Sequence, residues 1–147
     1  MATARVTEQQ IRVFCMDRPE QNSLLRGVRW SPEEIEAAQI MVVSYFNESP
    51  PSISTSYTVE SFPFSYAMLT GCAGHLLKSA AINQASNQLT YQLDGVQVAD
   101  NDKADIFSRM GQQFWDEFKL MVTATKMQRN VADCFGAMGS EWQHLHR

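Results

Sequence analysis

The sequence has few charged residues, no excess of basic ones and no long apolar run. Charged residues make up 19% of the 147 positions, and 12 lysines and arginines stand against 16 aspartates and glutamates, which gives a formal net charge of −4. A dedicated nucleic-acid binder needs a surplus of Lys and Arg to neutralise phosphates, so this class is disfavoured. Because apolar residues still make up 44% of the chain, an intrinsically disordered protein is disfavoured as well.

The three cysteines are too far apart for a disulfide framework or a zinc site. Cys15, Cys72 and Cys134 show none of the short spacings that such sites use, so we expect reduced thiols in a cytosolic protein. No signal peptide is expected, since polar residues interrupt the N-terminal stretch before an apolar run develops. The charge-free stretch 61–77 is rich in Ser, Thr and Gly, whereas a membrane span needs about 20 mostly apolar residues.

Capping boxes predict where the first two major helices begin. Thr7 is followed by Gln10, and Ser31-Pro32 is followed by Glu34, which are the spacings of this motif. With the period of the apolar residues, these starts predict helices over about 7–16 and 32–47, with a short helix near 19–25 between them. The second major helix has a predicted apolar stripe of Ile35, Ala38, Met41, Val42 and Tyr45.

A third helix is predicted over about 63–85, after a long loop, 49–62, that is either functional or folded over a face of the protein. Small residues recur in this helix at helical spacing. Gly71 and Gly74 lie in mid-helix, where each glycine costs up to about 1 kcal/mol relative to alanine. Tight packing of this strip against another helix would offset that cost, and we expect it.

The middle of the chain is unusually poor in charge. Between Glu60 and Asp94 the only formal charge is Lys78, and the centres of subunit interfaces are depleted of charged residues. We therefore hypothesise that residues 61–93 supply much of a contact between subunits, with candidates Ala80, Asn83 and Asn87. A merely neutral exposed face is the alternative.

The last third of the chain predicts a hairpin, a long helix and a tail. Alternating apolar residues on both sides of Asp94-Gly95 predict a β-hairpin over about 89–99. A helix capped by Asp100 or Asn101 should then run to about Arg129. Its predicted main stripe is Ile106, Met110, Phe114, Phe118, Met121, Val122 and Thr125, widened by Phe107, Trp115 and Leu120. The remaining residues, 130–147, lack periodicity but carry aromatic residues, which suits a segment that orders on binding a partner.

The predicted fold is therefore mainly α. It is a helical bundle over residues 1–129, with a small β-hairpin inserted before the long last helix and an extended C-terminal tail over 130–147. No catalytic motif occurs in the sequence. His144 and His146 form a pair, but no cysteine or carboxylate stands at a useful ligand spacing. We expect a protein that is not an enzyme and that holds neither a metal nor a cofactor.

Several phrases of the sequence, taken in order, resemble a known family. They are Ser31-Pro32-Glu33-Glu34-Ile35 opening a helix that ends at Asn47-Glu48-Ser49-Pro50-Pro51, then Phe62-Pro63-Phe64, then Asn87-Gln88-Leu89-Thr90-Tyr91 leading into Asp94-Gly95-Val96-Gln97-Val98, and a long aromatic last helix. In these features, which cover about residues 7–142, the chain is similar to the head-to-tail adaptor proteins of tailed bacteriophages, also called connector or neck proteins.

The resemblance implies a virion structural protein, made in the cytoplasm of a bacterial host and located at the neck. Such adaptors are helical bundles that assemble as a ring, typically of twelve copies, beneath the portal at one capsid vertex. The ring extends the DNA channel and presents a platform to the downstream neck or tail protein. DNA passes through without sequence-specific binding, and no membrane is involved.

The resemblance also implies roles for particular residues. The C-terminal segment of related adaptors reaches the portal, which would assign portal contacts to Phe135, Met138 and Trp142. The hairpin would contact a neighbouring subunit or the downstream protein, with candidates Tyr91, Leu93 and Val96. Two other functions stay open: a small helical oligomer that binds or regulates a protein partner, and another neck component such as a stopper or tail terminator, which are usually rich in β structure.

Overall fold

The protein is mainly helical, consistent with a helical bundle. A computed structural model describes residues 5–22, 26–86, 91–93, 96–98 and 102–138, with backbone only for 91–93, 96–98, 102 and 135–138. The described elements, in chain order, are α1 (Glu8–Phe14), α2 (Pro32–Glu48), α3 (Ser65–Ser86), β1 (Tyr91–Leu93), β2 (Val96–Val98) and α4 (Asp102–Met138).

Reciprocal capping boxes open α1 and α2, as the sequence predicts. The Thr7 hydroxyl accepts a hydrogen bond from the Gln10 amide, and the Gln10 side chain accepts one from the Thr7 amide at 2.9 Å. Ser31 and Glu34 make the same pair of contacts, with the Ser31 amide 2.7 Å from Glu34 Oε2. These bonds satisfy backbone donors that have no partner inside the helix.

A buried carboxylate organises the segment between α1 and α2. Asp17 accepts hydrogen bonds from Arg12 Nη1 at 2.9 Å, from Asn22 Nδ2 at 2.6 Å and from the Arg29 amide at 2.6 Å. The helix expected near 19–25 is not formed by the described part of this segment, where 19–21 are a turn; residues 23–25 lie outside the described residues. Asn22 and Arg29 fold back onto Asp17 instead, which a continuous helix would prevent.

Helix α3 lies at the centre and packs on α1, α2 and α4, most extensively on α4. Contacts progress from Tyr66–Glu117 to Lys78–Gly111, so α3 and α4 are antiparallel. A Cβ placed on Gly74 would lie 2.9 Å from the Trp115 amide nitrogen. The prediction that the small residues of this helix pack tightly against another helix is therefore confirmed.

The loop 49–62 lies over one side of the core. Asn47 holds it from the end of α2, because its side-chain amide bonds both the nitrogen and the carbonyl oxygen of Tyr57, at 3.0 and 2.8 Å. Tyr57 then joins an aromatic cluster, in which the ring of Phe46 lies between 5.1 and 5.7 Å from the rings of Tyr57, Phe62 and Phe64. Of the two alternatives for this loop, the structure shows folding over a face.

The strands β1 and β2 pair antiparallel, with Leu93 opposite Val96 and Tyr91 opposite Val98. The predicted hairpin covers about 89–99, and residues 87–90, 94–95 and 99–101 lie outside the described residues. The predicted caps Asp100 and Asn101 of the last helix fall there too.

Helix α4 differs from its prediction in two respects. It continues to Met138 rather than ending near Arg129, so residues 130–138 are helical where an extended tail was expected. Phe118 and Val122 of the predicted stripe are fully buried, but Ile106, Met110 and Leu120 are exposed. The predicted buried stripe contained too many residues, because α3 covers only one side of α4.

Candidate interaction surface

The outer face of α4 carries a row of exposed apolar residues. Leu120 is 72% exposed, Met127 56% and Val131 53%. Ala124, between Leu120 and Met127, and Cys134, after Val131, are also exposed. These five residues follow one another at spacings of four, three, four and three, and we call them the outer seam. Such alternation is the pattern by which one helix packs lengthwise against another.

The outer seam is exposed because α4 buries its opposite face. Phe118, Val122 and Lys126 point into the bundle and are fully buried. A surface helix that buries one face normally presents polar and charged residues on the opposite face. An apolar row on the outward side is therefore a surface that the described residues leave uncovered.

The charges near the outer seam are of both signs. From Asp116 to Cys134, α4 carries the basic residues Lys119, Lys126 and Arg129 and the acidic residues Asp116, Glu117 and Asp133. Lys126 is buried. Lys119 is half-exposed and pairs with Asp116 at 2.7 Å, while the guanidinium of Arg129 lies 5.3 Å from the centre of the Phe64 ring. The surroundings of the seam are thus of mixed charge.

Beyond Asn130, α4 leaves the bundle. Asn130 Nδ2 donates to the Ser52 carbonyl at 3.1 Å, which ties α4 to the 49–62 loop. The next four residues, 131–134, are all exposed, and four successive residues span more than one helical turn. None of the described residues covers any side of the helix there. We call residues 131–138 the C-terminal arm.

The arm contains two of the three residues expected to contact the portal. Phe135 and Met138 lie in the final turns of α4, so the arm presents them on a helix rather than on an extended chain. Trp142 lies outside the described residues. The outer seam was not predicted, because Leu120 was assigned to the buried stripe and the helix was expected to end near Arg129. The alternating three- and four-residue spacing from Leu120 to Cys134 was the available signal.

The residues expected at a subunit contact are not brought together as one surface. Ala80 is buried in the core of its own chain. Asn83 is exposed, Asn87 lies outside the described residues, and Tyr91, Leu93 and Val96 are in the strands, where only the backbone is described. Most of α3 up to Ala81 is buried. Burial within the chain therefore accounts for much of the missing charge that was assigned to a subunit contact.

Asn83 lines a cleft of about 360 Å³ between the start of α2, the end of α3 and the start of α4. Its lining holds Arg29, whose guanidinium lies 4.7 Å from the centre of the Phe107 ring, and Glu34, whose carboxylate is engaged by the cap of α2. The lining residues are Arg29, Trp30, Glu34, Ser79, Ala80, Asn83, Gln84, Lys103 and Phe107. No histidine or cysteine is among them, so this cleft presents neither a thiol nor an imidazole base.

A second exposed apolar patch lies on the outer face of α2. Ile40 is 51% exposed and Met41 50%, and Ala37 beside them is exposed too. Met41 had been expected in the buried stripe of α2, and that expectation is wrong. Helix α2 carries four glutamates and no basic residue, so the charged residues that this helix places near the patch are all acidic.

Comparisons with known proteins identify no relative. No protein-family model matches the chain, no curated protein matches it, and no solved structure matches it. Within the described residues, no helix combines the length and apolarity that a membrane crossing requires. The same part of the chain contains no cluster of three or more potential metal-ligating His, Cys, Asp or Glu residues.

Proposed function

We propose that this protein is a head-to-tail adaptor of a tailed bacteriophage. In this function, copies of the chain form a ring, with twelve copies as the expected number, that joins the portal at the capsid vertex to the downstream neck or tail protein. The ring continues the DNA channel, and the protein is a structural component of the virion rather than an enzyme. The sequence resemblance is the starting point for this proposal.

The structural observation that carries the proposal is the C-terminal arm. The four residues 131–134 are exposed all round the helix and include the apolar Val131. An apolar helix end that leaves its own bundle gains most from packing on another protein, since packing of an apolar face supplies most helical stability in proteins. An adaptor needs such a projecting element to reach the portal.

The mainly helical fold favours an adaptor over the other neck components. Stoppers and tail terminators are usually rich in β structure, whereas the strands described here span three residues each. In the proposed architecture these strands belong to a hairpin insertion over about 89–99. Tyr91, Leu93 and Val96 of that hairpin would contact a neighbouring subunit or the downstream protein.

The charge of the protein suits a passage for DNA. Each phosphate contact made by Lys or Arg strengthens binding in a salt-dependent way, and the chain has a net charge of −4. A ring built from it would let DNA slide through without gripping it. A small helical oligomer that regulates a protein partner is the second candidate, and it gives the projecting apolar arm no particular purpose.

The test is to mix the purified protein with the portal protein of the same virion and to image the product by electron microscopy. A ring of copies seated on the portal is expected, and images of purified virions should show the same density at the neck. A protein that neither binds the portal nor occurs in virions contradicts the proposal.

A chain ending at Asn130 separates the role of the arm from that of the bundle. It should keep its helical circular-dichroism spectrum, after allowance for the missing turns, and lose portal binding. As a matched control, replacing exposed Ile82 on α3 by Ser should leave portal binding unchanged. Full portal binding by the shortened chain would show that the arm is not the contact.

A further inference from the structure

The cleft that Asn83 lines contains an arginine without an anionic partner in the described part of the chain. The guanidinium of Arg29 lies 4.7 Å from the centre of the Phe107 ring and 5.6 Å from that of the Trp30 ring. Neither an ion pair nor a hydrogen bond joins this guanidinium to any residue that the structure describes. We infer that the cleft is a binding site for a carboxylate group, with Arg29 as its anchor.

The buried carboxylate of Asp17 fixes the backbone from which Arg29 projects. The Arg29 amide donates to Asp17 Oδ1 at 2.6 Å, and the Trp30 amide lies 3.3 Å from Asp17 Oδ2. Trp30 itself is only 4% exposed, so the chain is held on both sides of the Arg29 Cα. Less binding free energy is then spent on ordering the site when a ligand arrives.

Stacking leaves the donors of Arg29 available. A guanidinium is planar and carries its N–H groups in that plane, whereas a ring contact uses its face. Arg29 is exposed, so these in-plane donors are open to a ligand from solvent. A carboxylate matches them best, because its two oxygens can accept a parallel pair of N–H bonds from one guanidinium.

The cleft has the size and the polar groups of a small ligand site. Its volume of about 360 Å³ lies in the range of about 300–1,000 Å³ that is usual for such sites. Helix α3 contributes the hydroxyl of Ser79 and the side-chain amides of Asn83 and Gln84 to the lining. These groups can bind the polar atoms next to a carboxylate, such as the amides of a peptide or a second oxygen of an organic acid.

The charge of the lining favours a ligand with one negative charge. Arg29 and Lys103 supply two positive charges, and Glu34 supplies one negative charge. One oxygen of Glu34 accepts a hydrogen bond from the Ser31 amide at 2.7 Å, which holds this carboxylate in place. A phosphate dianion would meet about twice the repulsion from Glu34 that a carboxylate meets, so the carboxylate is the better match.

The charged residues that adjoin the lining in the sequence are of both signs. Glu33, Asp105 and Arg26 are exposed, and none of the three lines the cleft; of Asp102 only the backbone is described. Water and salt screen exposed charges. The lining residues therefore determine the preference for a single negative charge.

A titration followed by two-dimensional NMR of the isotope-labelled full chain tests the site. The probes are sodium acetate, the peptide N-acetyl-Gly-Glu-Gly-amide and inorganic phosphate, at neutral pH and constant ionic strength. Both carboxylate probes should shift the Arg29 Nε–H signal, with the millimolar dissociation constants expected of two charge-assisted hydrogen bonds. Phosphate should bind more weakly. Tighter binding of acetate indicates a free acid as the ligand, and tighter binding of the peptide indicates an acidic side chain of a protein.

Two variants separate the stacked guanidinium from its charge. Arg29→Lys keeps the charge but loses the planar pair of donors, and it should weaken binding of both carboxylate probes about tenfold or more. Phe107→Leu leaves the charge of the lining unchanged but removes a ring on which the guanidinium stacks, and it should weaken binding about two- to fivefold. Arg18→Lys, at an exposed arginine outside the cleft, is the matched control and should bind like the wild type.

Three results would refute the carboxylate site. If Arg29→Lys binds acetate and the peptide as tightly as the wild type, the cleft responds to charge alone. If phosphate binds as tightly as the carboxylates, the site does not select them. If neither carboxylate probe shifts the Arg29 signal, the cleft is not a site. A ring on the portal together with any of these results would leave the proposed function standing, because the cleft does not include the C-terminal arm.

Discussion

Gly74 of α3 and Gly111 of α4 meet where the two helices cross. A Cβ added to either residue would lie 3.2 Å from the carbonyl oxygen of the other. The close approach is between backbones, so no side-chain rotation can make room. This contact fixes the distance between the two longest helices and with it the position of the α4 face that carries the outer seam.

Gly74→Ala is expected to destabilise the protein. Alanine improves helix propensity by about 1 kcal/mol, but its methyl group would lie 2.9 Å from the Trp115 amide, and overpacking typically costs about 1–3 kcal/mol. The difference is a net loss of up to about 2 kcal/mol of unfolding free energy, measured by urea denaturation, and we expect the upper part of this range because backbone atoms must move. Gln84→Ala, at an exposed position of the same helix, should change stability by less than about 0.5 kcal/mol. A stabilised Gly74→Ala variant would contradict the tight crossing.

Asp17→Ala is expected to be more damaging than the loss of a surface charge. The Asp17 side chain is 1% exposed, and its ion pair with Arg12 leaves the arginine only 8% exposed. Removing one partner of a buried pair typically costs about 3–5 kcal/mol when the other charge is left without a partner. Arg12 keeps its ion pair with the half-exposed Glu8 at 2.7 Å, so a loss below that range is expected, but above that of an exposed pair. The Arg29 amide would lose its acceptor as well. Thermal and urea denaturation measure the effect.

Asp116→Ala is the matched control for that change. Asp116 pairs with Lys119 at a similar distance, but the side chains of both are 41–50% exposed, and exposed pairs contribute about 0–1 kcal/mol. Equal losses for Asp17→Ala and Asp116→Ala would show that the Arg12–Asp17 pair does not organise the segment between α1 and α2.

Lys126→Met is expected to loosen the loop 49–62. Lys126 is fully buried; its ammonium donates to the Ser49 carbonyl, and burial lowers the pKa of Lys126 below its ordinary value. Methionine keeps the volume but loses a hydrogen bond from a charged group, worth about 1.5–3 kcal/mol. Hydrogen exchange at the Tyr57 amide, which donates to Asn47 Oδ1, should therefore accelerate. Lys119→Met, at a half-exposed site of the same helix, should leave that exchange unchanged. If Lys126→Met exchanges as slowly as the wild type, Lys126 does not hold the loop 49–62.

The three cysteines should differ in reactivity toward a thiol reagent. Cys134 is exposed, whereas burial raises the pKa of Cys72 strongly, and burial, then the charge of Asp17, raises that of Cys15 from 9.0 to about 11. Because the thiolate is the reactive form, we expect one cysteine, Cys134, to react fast in the native protein and all three cysteines to react fast after unfolding. Cys134→Ser should abolish the fast reaction, and a fast phase that persists would contradict the assignment.

The raised pKa of Cys15 also predicts a pH dependence of stability. Above about pH 9 the unfolded chain loses the Cys15 proton while the native state keeps it, so the native state binds more protons and the unfolding free energy falls as pH rises. The unfolding free energy of wild type minus that of Cys15→Ala should therefore decrease between about pH 9 and pH 11. Taking this difference removes the opposite contribution of Lys126, whose pKa is lowered. A difference in unfolding free energy that does not change with pH contradicts the prediction.

Local sequence signals predicted the helix starts but not where the last helix ends. Thr7 and Ser31 are capping residues whose partners stand three positions away, so the information is contained in a few adjacent residues. At Arg129 the apolar period fades, yet α4 continues to Met138. No proline stands between Arg129 and Met138, and Gly136 does not end the helix. The absence of a proline was therefore more informative here than the loss of the apolar period.

The candidate surface was predicted only in part. Phe135 and Met138 were expected to be presented to a partner, and they lie on the arm that leaves the bundle. Ala80 was expected at a subunit contact and is buried in the core. Lack of charge is shared by a protein core and by the centre of an interface, so composition alone could not distinguish the two for α3.

The sequence by itself determined the helical class, the capped starts of α1 and α2, and the close packing demanded by the glycines of α3, because each depends on neighbouring residues or on a single period. Only the tertiary structure decided which helix meets those glycines, which face of α4 is left outside, and where α4 leaves the bundle. These properties depend on contacts between residues distant in the chain, such as Gly74 with Gly111 and Ser52 with Asn130.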